Sequence, residues 1–153
     1  MRANKLVNAL IEKNITIASA ESLTGGLFAA ELTKVAGASK VFIGGVVSYQ
    51  IIAKEKILKI DSKLIKSFGV VSKEIAQEMA LKIGQQLNSD IAISFTGNAG
   101  PSVQNDLAVG RVYIGLKYFK EYQSYELNLK GQREEIRNQC IDYAIELLLK
   151  KLG

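Results

Sequence analysis

The chain has 153 residues, 48% hydrophobic and 23% charged, with a net charge of +5 from 20 basic and 15 acidic side chains. This is the composition of one globular domain, residues 1–153, with a sizeable core, and it excludes a disordered chain. The chain has no histidine and one cysteine, which excludes Ser-His-Asp and Cys-His catalysis, histidine-containing metal sites and thiolate metal sites.

The N-terminal Met1-Arg2-Ala3-Asn4-Lys5 leads into an amphipathic segment, not an unbroken apolar one, so no signal peptide is expected. Residues 4–13 place Leu6, Val7, Leu10 and Ile11 on one helical face. Residues 15–19 are short and β-branched, a strand. The turn Glu21-Ser22-Leu23-Thr24-Gly25-Gly26 follows, with Thr24 as the expected N-cap of a helix through about Val35. Residues 41–49 read as a strand and 51–58 as a short helix. A further helical turn or two covers 61–68, and Ser72 caps a helix with Ile75, Met79, Ile83 and Leu87 on its apolar stripe.

Residues 91–95 form a second buried-strand pattern. They run into Thr96-Gly97-Asn98-Ala99-Gly100-Pro101, a loop by its glycines and its proline. Residues 109–118 and 122–129 alternate as a hairpin. A long helix over 132–152 closes the chain, with Ile136, Cys140, Ala144, Leu147 and Leu148 on one face, and Cys140 there is a packing residue. No apolar run is long enough to cross a bilayer, and a lone cysteine gives no sign of an oxidising compartment, so the cytoplasm is the expected location. The lysines are scattered, without a basic stripe, so nucleic acid is not the expected partner, whereas a small anion suits the charge.

Helices alternating with buried strands predict a three-layer α/β/α sandwich, and the terminal hairpin makes its mostly parallel sheet mixed. Ligands of such sheets gather beyond the carboxyl ends of the parallel strands. Three polar turns fall there if the strands are parallel: the one at Ser22, Ser48-Tyr49 running into Lys54, and the one at Thr96. In the first, Ser22 can serve as a nucleophile or as a helix tie. Free helix N–H groups behind it can hold a phosphate or an oxyanion. Gly25 and Gly26 would let a ligand approach the main chain, and Glu21 would order the neighbouring groups. The turn has neither the Walker, the G-x-G-x-x-G nor the G-x-S-x-G spacing.

Five ordered blocks carry more: AESLTGG at 20–26, GASKVFIGGVVSYQIIAK at 37–54, GVVSKEIAQEMA at 69–80, FTGNAGP at 95–101 and VGRVYIGL at 109–116. Over nearly the whole chain they resemble the CinA C-terminal domain, whose stand-alone members are nicotinamide-nucleotide amidases. The resemblance implies the three-layer fold and hydrolysis of the carboxamide of nicotinamide mononucleotide to nicotinate mononucleotide and ammonia. It implies a Ser/Lys mechanism without metal or cofactor, and a homo-oligomer.

By that resemblance Ser22 is the nucleophile and Lys54 the base. Tyr49 and Thr96 line the same pocket, Tyr49 bonding the lysine or serine and Thr96 positioning the carboxamide or serine. Gly97–Gly100 would supply backbone donors, and Arg133 would hold the phosphate. A lysine with a pKa of about 10.4 is a poor base at neutral pH, so burial or a neighbour such as Lys56 must lower it. This chain departs from its relatives at Leu23, where they carry Cys, at Gln50-Ile51-Ile52, where they carry Ser-Asn-Glu, and over residues 102–106. Two alternatives accompany the amidase: a catalytically silent domain that binds a nucleotide or docks to a partner, and a nucleic-acid-associated protein.

Overall fold

The computed structural model describes residues 2–103 and 107–153. Helix α1 (Arg2–Lys13) buries Ala3, Leu6, Val7 and Leu10. It ends at Asn14, in the left-handed conformation with φ 56°, and the Ile15 N–H turns back to the Leu10 carbonyl. Thr16 donates both its N–H and its hydroxyl to Asp90 Oδ2. The Thr16 carbonyl accepts from the Ile91 N–H at the foot of the sheet, and β1 is Ile17–Glu21, two residues later than expected.

The other elements are α2 (Leu27–Thr33), β2 (Phe42–Val47), α3 (Ile51–Lys56), α4 (Ser62–Phe68), α5 (Lys73–Leu87), β3 (Ile91–Gly97), β4 (Arg111–Tyr118), β5 (Glu121–Asn128) and α6 (Arg133–Leu152). The sheet order is β2-β1-β3-β4-β5. Strands β2, β1 and β3 run parallel, and the β4–β5 hairpin joins β3 antiparallel. The expected three-layer sandwich with a mixed sheet is the fold observed.

Strand alternation divides the core between the two faces. Ile17, Ile91, Ile93 and Phe95 join Leu6, Leu10, Phe28, Leu32, Ile136 and Leu148 under α1, α2 and α6. Ala18, Ala20 and Ala92 point the other way, against Ile75, Met79, Ala80 and Ile83 of α5. Small residues on this second face let α5 lie close: a side chain at Gly115 would run into the Ala76 carbonyl, which already accepts from the Ser94 hydroxyl. Burying each large aliphatic or aromatic side chain of these layers stabilises the fold by roughly 1.5–3 kcal/mol.

The register sets the site. Glu21 pairs with Val47 on one side and Phe95 on the other. The next row along the same edge is therefore Ser48, Ser22 and Thr96, with the Ser22 N–H donating to the Phe95 carbonyl and the Ser48 N–H to the Glu21 carbonyl. The chain leaves β1 toward one face, into α2, and leaves β2 toward the other, into α3 and α4. Divergence of neighbouring connections opens a crevice at the carboxyl ends of the strands.

Candidate active site

Ser22 stands at the end of β1, 8% exposed. Behind it the structure departs from the expected helix cap. Residue Gly26, not Thr24, occupies the N-cap of α2, and it caps nothing with a side chain. The capping group is Glu21, from the last position of the strand. Its carboxylate accepts from the Gly26, Phe28 and Ala29 N–H groups at 3.2, 3.0 and 3.0 Å. The Thr24 hydroxyl donates to the same carboxylate at 2.6 Å. A buried anion at the positive end of a helix satisfies both the orphan amides and the dipole. The expected free N–H groups of α2 are thus already taken, and α2 offers no anion site. The side chains of Glu21 and Thr24, with Gly25 and Gly26, stand behind the serine, outside the cavity lining.

Lys54 comes from α3, the short helix after β2, and is 1% exposed. Its Nζ lies 3.0 Å from Ser22 Oγ, 2.6 Å from the Ser48 carbonyl and 3.3 Å from the Tyr49 carbonyl. Burial lowers its pKa to about 8, with no charged neighbour as a cause; the expected influence of Lys56 is absent. About a tenth of the amine is then neutral at pH 7, against less than one part in a thousand for an ordinary lysine. A neutral amine has two N–H donors and one lone pair. The Ser48 and Tyr49 carbonyls can take the two donors, which leaves the lone pair for the Ser22 hydroxyl.

Ser22, Lys54 and Thr96 line one cavity of about 200 Å³. Leu23, Ile51, Val70, Val71 and Ala99 give it an apolar wall, and Tyr49, Gly97, Asn98 and Arg133 complete its lining. Among the described residues, two basic side chains and no acidic one face it. Leu23 and Ile51, two departures from the relatives' pattern, are thus wall residues that help dry Lys54. Ile52 is 57% exposed and outside the lining. Of the departing stretch 102–106, residues 104–106 lie outside the described residues.

Tyr49 does not bond the lysine or serine through its phenol. Its carbonyl does that, while its hydroxyl accepts from Arg133 Nη2 at 2.9 Å. The ring is 55% exposed at the cavity mouth. Arg133, the first residue of α6, also donates to the Gly100 carbonyl at 2.6 Å. The Thr96 hydroxyl donates at 2.6 Å to the Val70 carbonyl, so it ties β3 to the chain before α5 and does not reach Ser22. Asn98 fixes the glycine loop by accepting from the Gly100 N–H and donating to the Ser102 carbonyl. Cys140 is buried in the core, with its thiol pushed up to about 12 by burial, and is no rival nucleophile.

Sequence reasoning did not anticipate the lysine's carbonyl partners or Arg137, which donates to the Leu23 and Thr24 carbonyls. The blocks that point to Ser22 and Lys54 hold no trace of contacts made over more than a hundred positions. The second arginine of Arg133-Glu134-Glu135-Ile136-Arg137, one helical turn on, was the available signal.

The CinA C-terminal domain profile matches residues 1–152. The chain belongs to the CinA C-terminal domain family. This CinA domain is 46% identical over 150 residues, 97% of its length, to a relative in Geobacillus sp. (strain WCH70) named for competence-damage induction. It spans 36% of that relative's length. Among solved structures it resembles the CinA superfamily protein from Klebsiella pneumoniae 700603, with a TM-score of 0.96 and 28% identity, over 99% of this chain and 95% of that one. It also resembles the competence/damage inducible protein CihA from Agrobacterium tumefaciens, with a TM-score of 0.90 and 30% identity, over 98% and 95% of the two chains.

Proposed function

We propose that this CinA domain is a Ser/Lys amidohydrolase that hydrolyses the carboxamide of nicotinamide mononucleotide to nicotinate mononucleotide and ammonia. The observation that carries the reading is the 3.0 Å contact between a buried, easily deprotonated Lys54 amine and the Ser22 hydroxyl. In a chain without histidine, this pair is the nucleophile and base that amide hydrolysis needs.

In the first step Ser22 Oγ attacks the carboxamide carbon while its proton passes to the Lys54 lone pair. The tetrahedral intermediate collapses, the C–N bond breaks, and the Lys54 ammonium returns the proton to the departing ammonia. Water then attacks the acyl-serine and gives its proton to the Lys54 amine; the bond from the acyl carbon to Ser22 Oγ breaks, the ammonium returns that proton to Oγ, and the free acid leaves. The apolar wall of Leu23, Ile51 and Val71 suits a flat pyridine ring. A cavity of about 200 Å³ receives the ring and its amide, with the ribose phosphate at the mouth. There Arg133 can exchange its neutral partners, the Gly100 carbonyl and Tyr49 hydroxyl, for the phosphate oxygens.

The test is incubation with nicotinamide mononucleotide under metal-free conditions. Ammonia and nicotinate mononucleotide are expected in equal amounts. Saturable binding of the nucleotide without turnover would instead select the silent binding domain.

A further inference from the structure

We propose that Arg137 is a positioning residue for the nucleophile, one that fixes the turn carrying Ser22 so that its first two amides meet the developing oxyanion. The inference rests on Ser22 as the nucleophile, the central element of the reading above. Arg137 lies on α6, half-buried, one turn beyond Arg133. Its Nε donates to the Leu23 carbonyl at 3.0 Å and its Nη2 to the Thr24 carbonyl at 3.1 Å. Both arms of the guanidinium fork thus hold consecutive peptides of one turn, from more than a hundred positions away. The guanidinium also fills the space beside Gly25, whose φ is 59°, since a Cβ there would lie 3.4 Å from Nη2. Among the described residues Arg137 forms no ion pair.

The turn itself is closed by the Gly25 N–H donating to the Ser22 carbonyl at 3.0 Å. The two amides inside such a turn, like the first amides of a helix, have no partner within it. Those of Leu23 and Thr24 donate to no protein group among the described residues. A trans peptide points its N–H opposite its carbonyl. Holding the Leu23 carbonyl on α6 therefore aims the Thr24 N–H away from α6. The Leu23 N–H is the amide directly after the nucleophile. With the α2 amides consumed by Glu21, these two are the amides of the Ser22 turn left for the charge that develops when the serine attacks. Arg137 touches no reacting atom in this arrangement. It acts through the main chain.

The test reads Ser22 directly, without relying on the natural substrate. A small fluorophosphonate forms a P–O bond with the serine, expels fluoride and sends the hydroxyl proton to Lys54, and the mass gain on Ser22 gives the rate. Wild type, Arg137→Lys and Arg137→Met are compared per folded molecule, alongside kcat and KM for nicotinamide mononucleotide and the thermal midpoint. Arg137→Met, which keeps the stem but loses the fork, is expected to slow phosphonylation and kcat about 10- to 100-fold with KM within about twofold. Arg137→Lys, which keeps a donor, is expected to recover a large part of both. The acid limb of the rate should not move in either variant, since Lys54 is untouched. A wild-type rate in Arg137→Met, or a loss that only follows its unfolded fraction, would overturn the proposal, as would a wild-type Ser22 inert to the reagent. Arg137-dependent phosphonylation without turnover of the nucleotide would leave this inference standing and overturn the substrate assignment alone.

Discussion

Lys54→Met is expected to lower amide hydrolysis by about 10²- to 10⁴-fold, the range that loss of a positioned general base produces. Methionine keeps the length and apolar stem of the side chain in a site that is 1% exposed, and it removes only the lone pair and donors. Ser22→Ala should cost a comparable factor. The double variant should cost hardly more than either one, because two groups that act in one proton transfer are strongly non-additive. Lys54→Arg is expected to be as inactive as the methionine variant, since a guanidinium does not deprotonate in this range. Losses that multiply in the double variant would show that the two residues act separately.

The same lysine leaves a mark on stability. Its folded pKa, about 8, lies below its ordinary value of 10.5. Between those two values the folded state has released a proton that the unfolded state still holds. Stability therefore rises with pH across that window and is penalised below it. Denaturant midpoints taken from pH 7 to 10 should climb in the wild type, and this contribution should vanish in Lys54→Met. An identical slope in both would mean that the amine titrates as it does in water.

Glu21→Ala is expected to destabilise the domain by about 3–5 kcal/mol, because one buried carboxylate is the partner of three amides and a hydroxyl. Alanine would leave the Gly26, Phe28 and Ala29 N–H groups without acceptors in a nearly dry site. For a domain of this size the loss corresponds to a fall in Tm of about 10 °C. Glu21→Gln keeps one acceptor oxygen but turns an NH2 toward donors, and it should fall between. A change below about 1 kcal/mol for Glu21→Ala, measured by thermal or urea unfolding, would show that other groups cap α2.

How far these features could be read from the sequence depends on the range of the interactions that create them. Periodicity located α5 and α6, and Ser72 does cap α5, since its hydroxyl accepts from the Ile75 N–H. A local cap such as this is visible because cap and amide lie three residues apart. Glu21 reaches amides five to eight positions on, around a tight turn, and a rule that inspects the residue before the helix selects Thr24 instead. Strand β1 starts two residues later than expected, after Thr16, which is held by Asp90, 74 positions away. The absence of histidine excludes a Ser-His-Asp or Cys-His site, and the resemblance points to Ser22 and Lys54. Neither could reveal that the Ser48 and Tyr49 main-chain carbonyls orient the amine, since a carbonyl belongs to every residue and leaves no mark on residue type. The role of the Tyr49 phenol was misjudged for a related reason: which end of a residue faces a site is set by the path of the chain after β2.

The central claim is that an uncharged Lys54 amine takes the proton of Ser22. It is tested most directly by the pH dependence of kcat/KM for ammonia release from nicotinamide mononucleotide between pH 6 and 9.5. A limb falling about tenfold per pH unit below an apparent pKa near 8 is predicted. A rate constant that stays level down to pH 6 would contradict it.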